Sequence, residues 1–171
     1  WSIFLPDAQY KNILTKGSLL KVLVQSSIGE QERIPVYINR VIQNEDNKDF
    51  AGQFWPTAKS QQPTAKSQKP LFIYESHVGM SQEKEGVGSY KEFKENILPR
   101  IKDLGYNAIQ LMAIAEHPYH GSIGYHVSNF FAASSRFGTP EDLKDLIDTA
   151  HEMGIAVIMD LVHSHTVKNT R

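Results

Sequence analysis

The residues best suited to chemistry lie at the end of a long apolar run. Residues 155–162 are apolar at every position except Asp160, and His163 and His165 follow at once. Continuous apolar runs are typical of parallel strands that are covered on both faces, where an unpaired charge is costly to bury. We therefore expect Asp160 near the carboxyl end of a strand, because the active sites of α/β barrels are located there.

The histidine pair allows two interpretations. Side chains two residues apart on a strand share a face, so His163 and His165 could bind a metal ion in a metal hydrolase. A third ligand would come from a set in which the sequence selects no member: Asp160, His151, His117 and His120. In the favoured interpretation His165 is a hydrogen-bonding group in a cleft, and we expect neither a metal ion nor a cofactor.

A long loop is predicted at residues 115–138, and it is rich in aromatic and polar side chains. Long loops in compact domains are often functional. Within this loop Tyr125 lies beside Gly124, and its ring could either stack on a flat ligand or pack against its own loop. The residues alone leave both alternatives open.

An alternating series of strands and helices must position these groups. Strands are predicted at residues 71–78, 106–114 and 155–162. Two helices are predicted from capping residues and stop glycines: Ser89 to Gly105, with a kink at Pro99, and Thr139 to Gly154. The order strand, helix, strand, helix, strand implies parallel pairing with right-handed crossovers.

The first part of the chain, residues 1–55, is predicted to be β-rich. Strands are expected at residues 19–25, 33–38 and 49–55, with the first two forming a hairpin around Gly29. Residues 56–70 repeat a seven-residue unit twice and carry little apolar surface. Such a composition is typical of a flexible linker.

The bulk composition excludes several function classes. The formal net charge of −1 gives no electrostatic reason to bind nucleic acid or an anionic membrane surface. The chain has no cysteine, so disulfides and thiolate metal sites are ruled out. No run is long enough to span a membrane and no signal peptide is evident, so a soluble cytoplasmic protein is predicted.

Five segments of the sequence together have a recognisable pattern: Ile73–Met80, Asn96–Ile101, Ile109–Ile114, Gly124–Pro140 and Asp160–His165. They resemble 1,4-α-glucan (glycogen) branching enzymes of the α-amylase superfamily of glycoside hydrolases. The last segment resembles the first signature region of the superfamily, with Ser164 where amylases usually carry Asn. The resemblance covers nearly all of residues 71–171.

The resemblance implies a fold class and a division of the chain. Residues 71–171 would be the N-terminal part, with three βα units, of a catalytic TIM (β/α)8 barrel, which is an α/β fold. Residues 1–55 resemble the C-terminal part of the glycogen-binding-type β-sandwich that precedes the barrel, a carbohydrate-binding-type domain. Residues 56–70 would link the two.

The resemblance also implies a substrate and three contacts to it. The substrate would be an α-glucan, glycogen or amylose. Tyr125 would stack on the sugar of the subsite that holds the cleaved residue, and Asp160 and His165 would hydrogen-bond hydroxyls of the same sugar. His126 stands where many relatives carry Gln, which concerns the detail of glucan contacts there rather than the reaction class.

The implied reaction is retaining glycosyl transfer, which cleaves an α-1,4-glucan chain and moves it to a 6-hydroxyl to make an α-1,6 branch. Its Asp nucleophile and Glu acid/base belong to motifs on later strands that have no match in this sequence. We therefore expect a segment truncated at both ends, without these catalytic residues and inactive alone. A partial barrel leaves a parallel edge open, so marginal folding or self-association through that edge is expected.

A different function class, a glucan-binding module without catalysis, is the alternative. In that hypothesis the β-rich part binds polysaccharide and the α/β part is a scaffold. Such modules need aromatic stacking surfaces, and the supply in the first part is small: Trp1, Tyr10, Tyr37, Phe54 and Trp55. The enzyme segment is therefore the favoured hypothesis.

Overall fold

A computed structural model describes residues 3–56 and 70–167 of the protein. The first range is rich in antiparallel strands, and the second is an α/β unit. The predicted linker at residues 56–70 lies almost entirely outside the described residues. Within the two described ranges, no helix combines the length and the apolar character that a membrane span requires.

Short strands dominate residues 3–56. The elements are α1 (Asp7–Tyr10), β1 (Leu19–Leu20), β2 (Val22–Ser26), β3 (Gly29–Arg33), β4 (Val41–Gln43) and β5 (Phe50–Gln53). An antiparallel sheet has the order β1-β5-β4, while β2 and β3 pair as a separate hairpin. The strand predicted at residues 49–55 is confirmed as β5, whereas β4 was not predicted.

The hairpin differs from the sequence prediction in its second strand. Gly29 pairs with Ser26 across a two-residue turn and has a φ of 109°, a conformation that favours glycine. The returning strand therefore starts at Gly29, and the predicted strand at residues 33–38 is wrong. Pro35 lies in a turn in which the Ile38 amide donates to its carbonyl, and its missing N–H suits a position outside the ladder.

Three parallel strands form the centre of the α/β unit. Its strands are β6 (Ile73–Ser76), β7 (Ala108–Leu111), β8 (Ala115–Glu116), β9 (Asn129–Ala133) and β10 (Ala156–Met159). The parallel sheet has the order β10-β7-β6, and β8 and β9 form an antiparallel pair within the long loop. The predicted parallel pairing is confirmed, although each strand is shorter than the apolar run that contains it.

The first helix of the α/β unit starts at the predicted cap. Ser89 and Glu92 form the capping box, with each side chain accepting from the backbone N–H of the other. The helix consists of α2 (Tyr90–Glu92), a π-helical turn (Phe93–Ile97) and α3 (Leu98–Asp103). Pro99 has no N–H to donate one turn back, and the helix widens into the π-helical turn just before it.

The second helix, α4 (Pro140–Glu152), also confirms its predicted ends. Thr139 and Asp142 form a capping box, and Pro140 occupies the first turn, where no N–H is needed. Gly154 follows the last turn with a φ of 72°. An N-cap of this kind stabilises a helix by roughly 1 kcal/mol.

One face of the parallel sheet packs against both helices, and the strands of the sheet differ in how far they are buried. Tyr74, Ile109 and Val157 lie in one row and pack in the main core with side chains of both helices. β7 is central and largely buried, whereas β10 has a neighbour on one side only among the described residues, and each of its side chains is at least partly exposed. The prediction that the last apolar run is covered on both faces is therefore wrong here. Self-association through this edge stays a prediction.

Trp55 connects the β-rich part to the α/β unit. Its indole N–H donates to Oε2 of Glu141 at 2.6 Å, and Lys16 Nζ lies 2.9 Å from Oε1 of the same carboxylate and 4.3 Å from the ring centroid. The Arg40 guanidinium lies 4.5 Å from the centroid and donates to the carbonyl of Gly138 at 3.1 Å. Because Glu141 lies in the first turn of α4, these contacts hold the β-rich part against the helix that covers the sheet.

We predict that Trp55→Ala lowers the free energy of unfolding by about 2 kcal/mol, roughly half the cost of removing a fully buried large aromatic side chain. Trp55→Phe keeps a ring for the two cations but loses the N–H donor, so it should cost only about 1 kcal/mol. Urea unfolding followed by circular dichroism measures both changes. A Trp55→Ala protein as stable as the unchanged chain would show that this contact does not join the two parts.

Candidate functional site

Asp160 lies where the sequence predicted it, directly after the carboxyl end of β10. Its backbone N–H donates to the carbonyl of Leu111 at 3.1 Å, which continues the pairing of β10 with β7 by one residue. Side chains alternate along a strand, so Asp160 follows Ile158 on the face opposite the helices. Asp160 is half-buried, and no lysine or arginine of the described ranges forms an ion pair with it.

Tyr125 and Asp160 are brought together by the fold. The Tyr125 hydroxyl donates to Oδ2 of Asp160 at 3.1 Å. The tyrosine ring is half-buried and packs beside a small apolar cluster formed by Ala113, Val127 and Val162. The ring is therefore packed against this cluster in part and is otherwise exposed. The packing interpretation is observed, and stacking on a ligand stays a prediction.

Gly124 brings the long loop of residues 115–138, hereafter the tyrosine loop, close to the end of β7. It has a φ of 84°, and a Cβ atom at this position would overlap the carbonyl oxygen of Ala113. Ala113 itself has a φ of 39°, which directs the chain away from the strand. The Tyr125 amide donates to the carbonyl of Ser122 at 3.0 Å and closes the turn. Only glycine fits between these two backbones, and the close packing fixes the position from which Tyr125 reaches Asp160.

Burial raises the pKa of the Tyr125 hydroxyl, and the hydrogen bond to Asp160 and its negative charge raise the pKa further. The charge of Glu75 acts in the same direction. The hydroxyl is therefore kept protonated as a donor, and the Asp160 carboxylate remains an acceptor with capacity for further hydrogen bonds.

Glu75 and Gln110 belong to the same face, and the sequence analysis did not identify them as site residues. They are opposite each other on β6 and β7, and Gln110 Nε2 donates to Oε1 of Glu75 at 3.0 Å. The signal was present, because a carboxylate and an amide interrupt two apolar strands at equivalent positions. Recognising it required the register, which places both residues in one row with Ile158.

His165 is exposed and has a φ of 64°. Its segment is held to the tyrosine loop by the Val167 amide, which donates to the carbonyl of Val127 at 3.1 Å. Among the described residues, His165 forms no side-chain hydrogen bond with Tyr125 or Asp160. The structure thus brings together two of the three residues predicted to contact the substrate, Tyr125 and Asp160. The role of His165 stays a prediction.

No third ligand accompanies the histidine pair in the described part of the chain. His163 and His165 are both exposed, and no group of three or more His, Cys, Asp or Glu side chains is placed to hold a metal ion there. His117, one of the proposed third ligands, is buried with its Nδ1 2.9 Å from the carbonyl oxygen of Ala115.

The arrangement is suited to a ring that carries hydroxyl groups. A partly exposed aromatic ring offers an apolar surface for stacking, and a carboxylate beside it accepts hydrogen bonds from hydroxyls. Small-molecule sites combine an apolar lining with a few fixed polar groups in this way. They also lie at the carboxyl ends of parallel strands in barrels.

A family model described as the alpha amylase catalytic domain matches residues 72–171. The chain therefore belongs to the alpha-amylase family. Its three parallel strands and their helices are part of the TIM-barrel-type fold of that catalytic domain.

Two curated relatives have the same name, 1,4-alpha-glucan-branching enzyme. The chain is 50% identical to the one from Dictyostelium discoideum, over 99% of this chain and 26% of that protein. It is 47% identical to the one from Felis catus, over 99% of this chain and 25% of that protein. The resemblance to branching enzymes is thus confirmed, and the chain spans about a quarter of the length of these relatives.

Among solved structures, the Bacillus licheniformis trehalose-6-phosphate hydrolase is similar to this chain with a TM-score of 0.47. The two are 31% identical, over 53% of this chain and 16% of that one.

We predict that Gly124→Ala destabilises the protein by more than about 2 kcal/mol, because strain at positive φ adds to overlap with the Ala113 carbonyl. Gly86→Ala is the matched control, since Gly86 has a φ of 109° and open space around it. It should cost only about 1 kcal/mol. Urea unfolding of both variants measures the difference, and equal costs would contradict a close packing of the tyrosine loop on β7.

We predict that Asp160→Asn lowers the pKa of Tyr125, because the substitution removes a negative charge that opposes ionisation of the phenol. Glu75→Gln should lower it by less, since Glu75 acts only through its charge. The sign follows from electrostatics, since less negative charge nearby favours the phenolate. Tyrosine-labelled NMR titrations measure the pKa, with Asp103→Asn on α3 as a control. An unchanged Tyr125 pKa in Asp160→Asn would contradict the hydrogen bond.

Proposed function

We propose that this chain is part of a 1,4-α-glucan branching enzyme and holds the glucose residue at which the glucan chain is cut. The whole enzyme would cleave an α-1,4-linked chain and transfer it to a 6-hydroxyl. The observation that carries the proposal is the hydrogen bond between Tyr125 and Asp160 at the carboxyl end of β10. The identity to proteins named as branching enzymes supports the choice of glucan.

In the proposed complex Tyr125 and Asp160 act together on one sugar. The exposed side of the tyrosine ring stacks on the apolar face of the glucose, and Asp160 accepts hydrogen bonds from its hydroxyls. The bond from Tyr125 fixes the carboxylate before the sugar arrives, so little freedom is lost on binding. His165 is proposed to donate a further hydrogen bond from the segment that follows β10.

The bond-breaking groups are proposed to lie outside residues 1–171. Retaining transfer needs a carboxylate nucleophile and a second carboxyl group roughly 5–5.5 Å from it. We assign Asp160 to neither role, because it is engaged by Tyr125 as a positioning group. The isolated chain is therefore proposed to be inactive, since binding groups without nucleophile and acid form no glycosyl intermediate.

The division of the chain is also part of the proposal. Residues 1–55 are proposed as the C-terminal part of an N-terminal β-sandwich, residues 56–70 as a linker, and residues 71–171 as the start of the barrel. The change from antiparallel sheets in residues 3–56 to a parallel sheet in residues 70–167 supports this division. A cytoplasmic location is likewise proposed, from the composition of the chain.

The full-length protein tests this proposal in a branching assay with amylose, in which new α-1,6 linkages are counted by proton NMR. We expect Asp160→Asn and Tyr125→Ala each to reduce kcat/KM for branching by about 100-fold or more, since misplaced substrate loses the advantage of fixed geometry. Tyr125→Phe keeps the stacking ring and should lose less.

The control for this assay is His163→Gln, which changes an exposed histidine beside the site without touching Tyr125 or Asp160. It should leave branching within about twofold of the unchanged enzyme, as expected of a surface substitution. Branching by Asp160→Asn at the same rate as by this control would refute the assigned role. An absence of α-1,6 linkages with the unchanged full-length protein would refute the proposed reaction.

A further inference from the structure

A second cleft lies between the β-rich part and the α/β unit, and it shares no residue with the Tyr125–Asp160 site. Its volume is ≈410 Å³, at the lower end of the roughly 300–1,000 Å³ range of small-molecule pockets. Residues of β4, β5 and the turn between them form one wall, and the loop around β8 and the segment after β9 form the other. The lining residues are Arg40, Ile42, Gln43, Glu45, Lys48, Phe50, Glu116, Ser135 and Arg136.

Three cations face this cleft without a carboxylate partner. Arg40, Lys48 and Arg136 line it, and none of them forms an ion pair with a residue of the described ranges. Five other basic side chains in those ranges do form such pairs. No direct ion pair within the described ranges therefore neutralises these three cations.

Neutral acceptors hold the two guanidinium groups in place. Arg40 donates through Nε to Gln53 at 2.9 Å and through Nη1 to the carbonyl of Gly138 at 3.1 Å, and it stacks on Trp55. Arg136 donates through Nη2 to the carbonyl of Pro118 at 2.7 Å. Such partners fix the position of a guanidinium without cancelling its charge, and each guanidinium keeps further N–H groups for an oxyanion.

Two carboxylates also line the cleft, and they do not cancel this charge. Glu116 is almost fully buried, and its oxygens accept from the backbone amides of His117 at 3.1 Å and Ser135 at 2.7 Å. Burial raises the pKa of Glu116, although these amides and the charge of Arg136 oppose the shift. Glu45 is exposed on the turn between β4 and β5. Three cations against two carboxylates leave a positive excess.

We propose that this cleft binds a phosphate group, either free or carried by a small sugar. Guanidinium groups bind phosphate oxygens through paired, charge-assisted hydrogen bonds, and a lysine adds a third positive charge. Phe50 and Ile42 give the cleft an apolar part that suits the carbon face of a sugar ring. Because Arg40 and Lys48 belong to the β-rich part and Arg136 to the α/β unit, the bound phosphate bridges the two parts.

Isothermal titration of the full chain at low ionic strength tests the proposal with three probes: inorganic phosphate, glucose 6-phosphate and glucose. We expect saturable binding of both phosphates and no binding of glucose. Tighter binding of glucose 6-phosphate than of inorganic phosphate would identify a sugar phosphate as the preferred source, and equal binding would identify the phosphate group alone. Binding of glucose as tight as that of glucose 6-phosphate would overturn the proposal.

Arg136→Gln and Lys48→Gln should each weaken the binding of inorganic phosphate, by about tenfold for the arginine, the value expected for the loss of one charge-assisted hydrogen bond. Arg33→Gln on β3 makes the same change of charge outside the cleft and should leave the Kd within about twofold. Lys48 lies on an exposed turn, so Lys48→Gln keeps the test valid if Arg136→Gln fails to fold.

Phosphate should also raise the Tm of the unchanged chain, and raise that of Lys48→Gln by less, because a ligand that binds only the folded state stabilises it in proportion to its affinity. Equal phosphate affinity in all three variants, or no binding tighter than about 10 mM in the unchanged chain, would overturn the proposal. The measurement follows binding and not branching, so it can succeed or fail independently of the proposed reaction.

Discussion

The hydrogen bond between Tyr125 and Asp160 joins two segments that lie 35 positions apart in the chain. One segment is the end of a parallel strand, and the other is the turn of a long loop. A carboxylate at the end of an apolar strand has a high cost of desolvation, and the tyrosine hydroxyl compensates part of it. The bond uses Oδ2 of Asp160 and leaves acceptor capacity on the side chain, which a group that binds hydroxyls needs.

The position of Tyr125 depends on backbone packing more than on the tyrosine itself. Gly124 lies against the carbonyl of Ala113, where no side chain fits, and Ala113 adopts a positive φ to leave the strand. These two residues bring the loop over the end of β7, so the side chain of Tyr125 reaches Asp160 at the end of β10, the strand next to β7. The same loop carries Glu116 and, after β9, Arg136, which line the cleft on the other side.

Contacts around Trp55 give the two parts of the chain a fixed relation. Lys16 and Arg40 both lie close to the indole ring, whose N–H group donates to Glu141 in the first turn of α4. Arg40 therefore takes part in the contact between the two parts of the chain and also lines the charged cleft. A ligand in that cleft would consequently act on the contact between the β-rich part and the barrel strands, without touching Tyr125 or Asp160.

Local patterns determined the elements that depend on local physics. The caps at Ser89 and Thr139, the stop at Gly154 and the parallel strands were predicted because capping and apolar periodicity are encoded by neighbouring residues. The second hairpin strand was misplaced, since its start depends on which residue pairs with Ser26 across the turn. Strand ends were overestimated for the same reason, because apolar runs continue beyond the residues that find partners.

The site shows the same division between local and tertiary information. The sequence by itself determined that Asp160 lies at the end of a strand and that Tyr125 lies in a long loop rich in aromatic and polar residues. Only the tertiary structure decided that the two side chains meet, that Glu75 and Gln110 share their face, and that Arg40 and Arg136 face one cleft. These relations depend on strand register and on packing between distant segments, and no pattern of neighbouring residues encodes them.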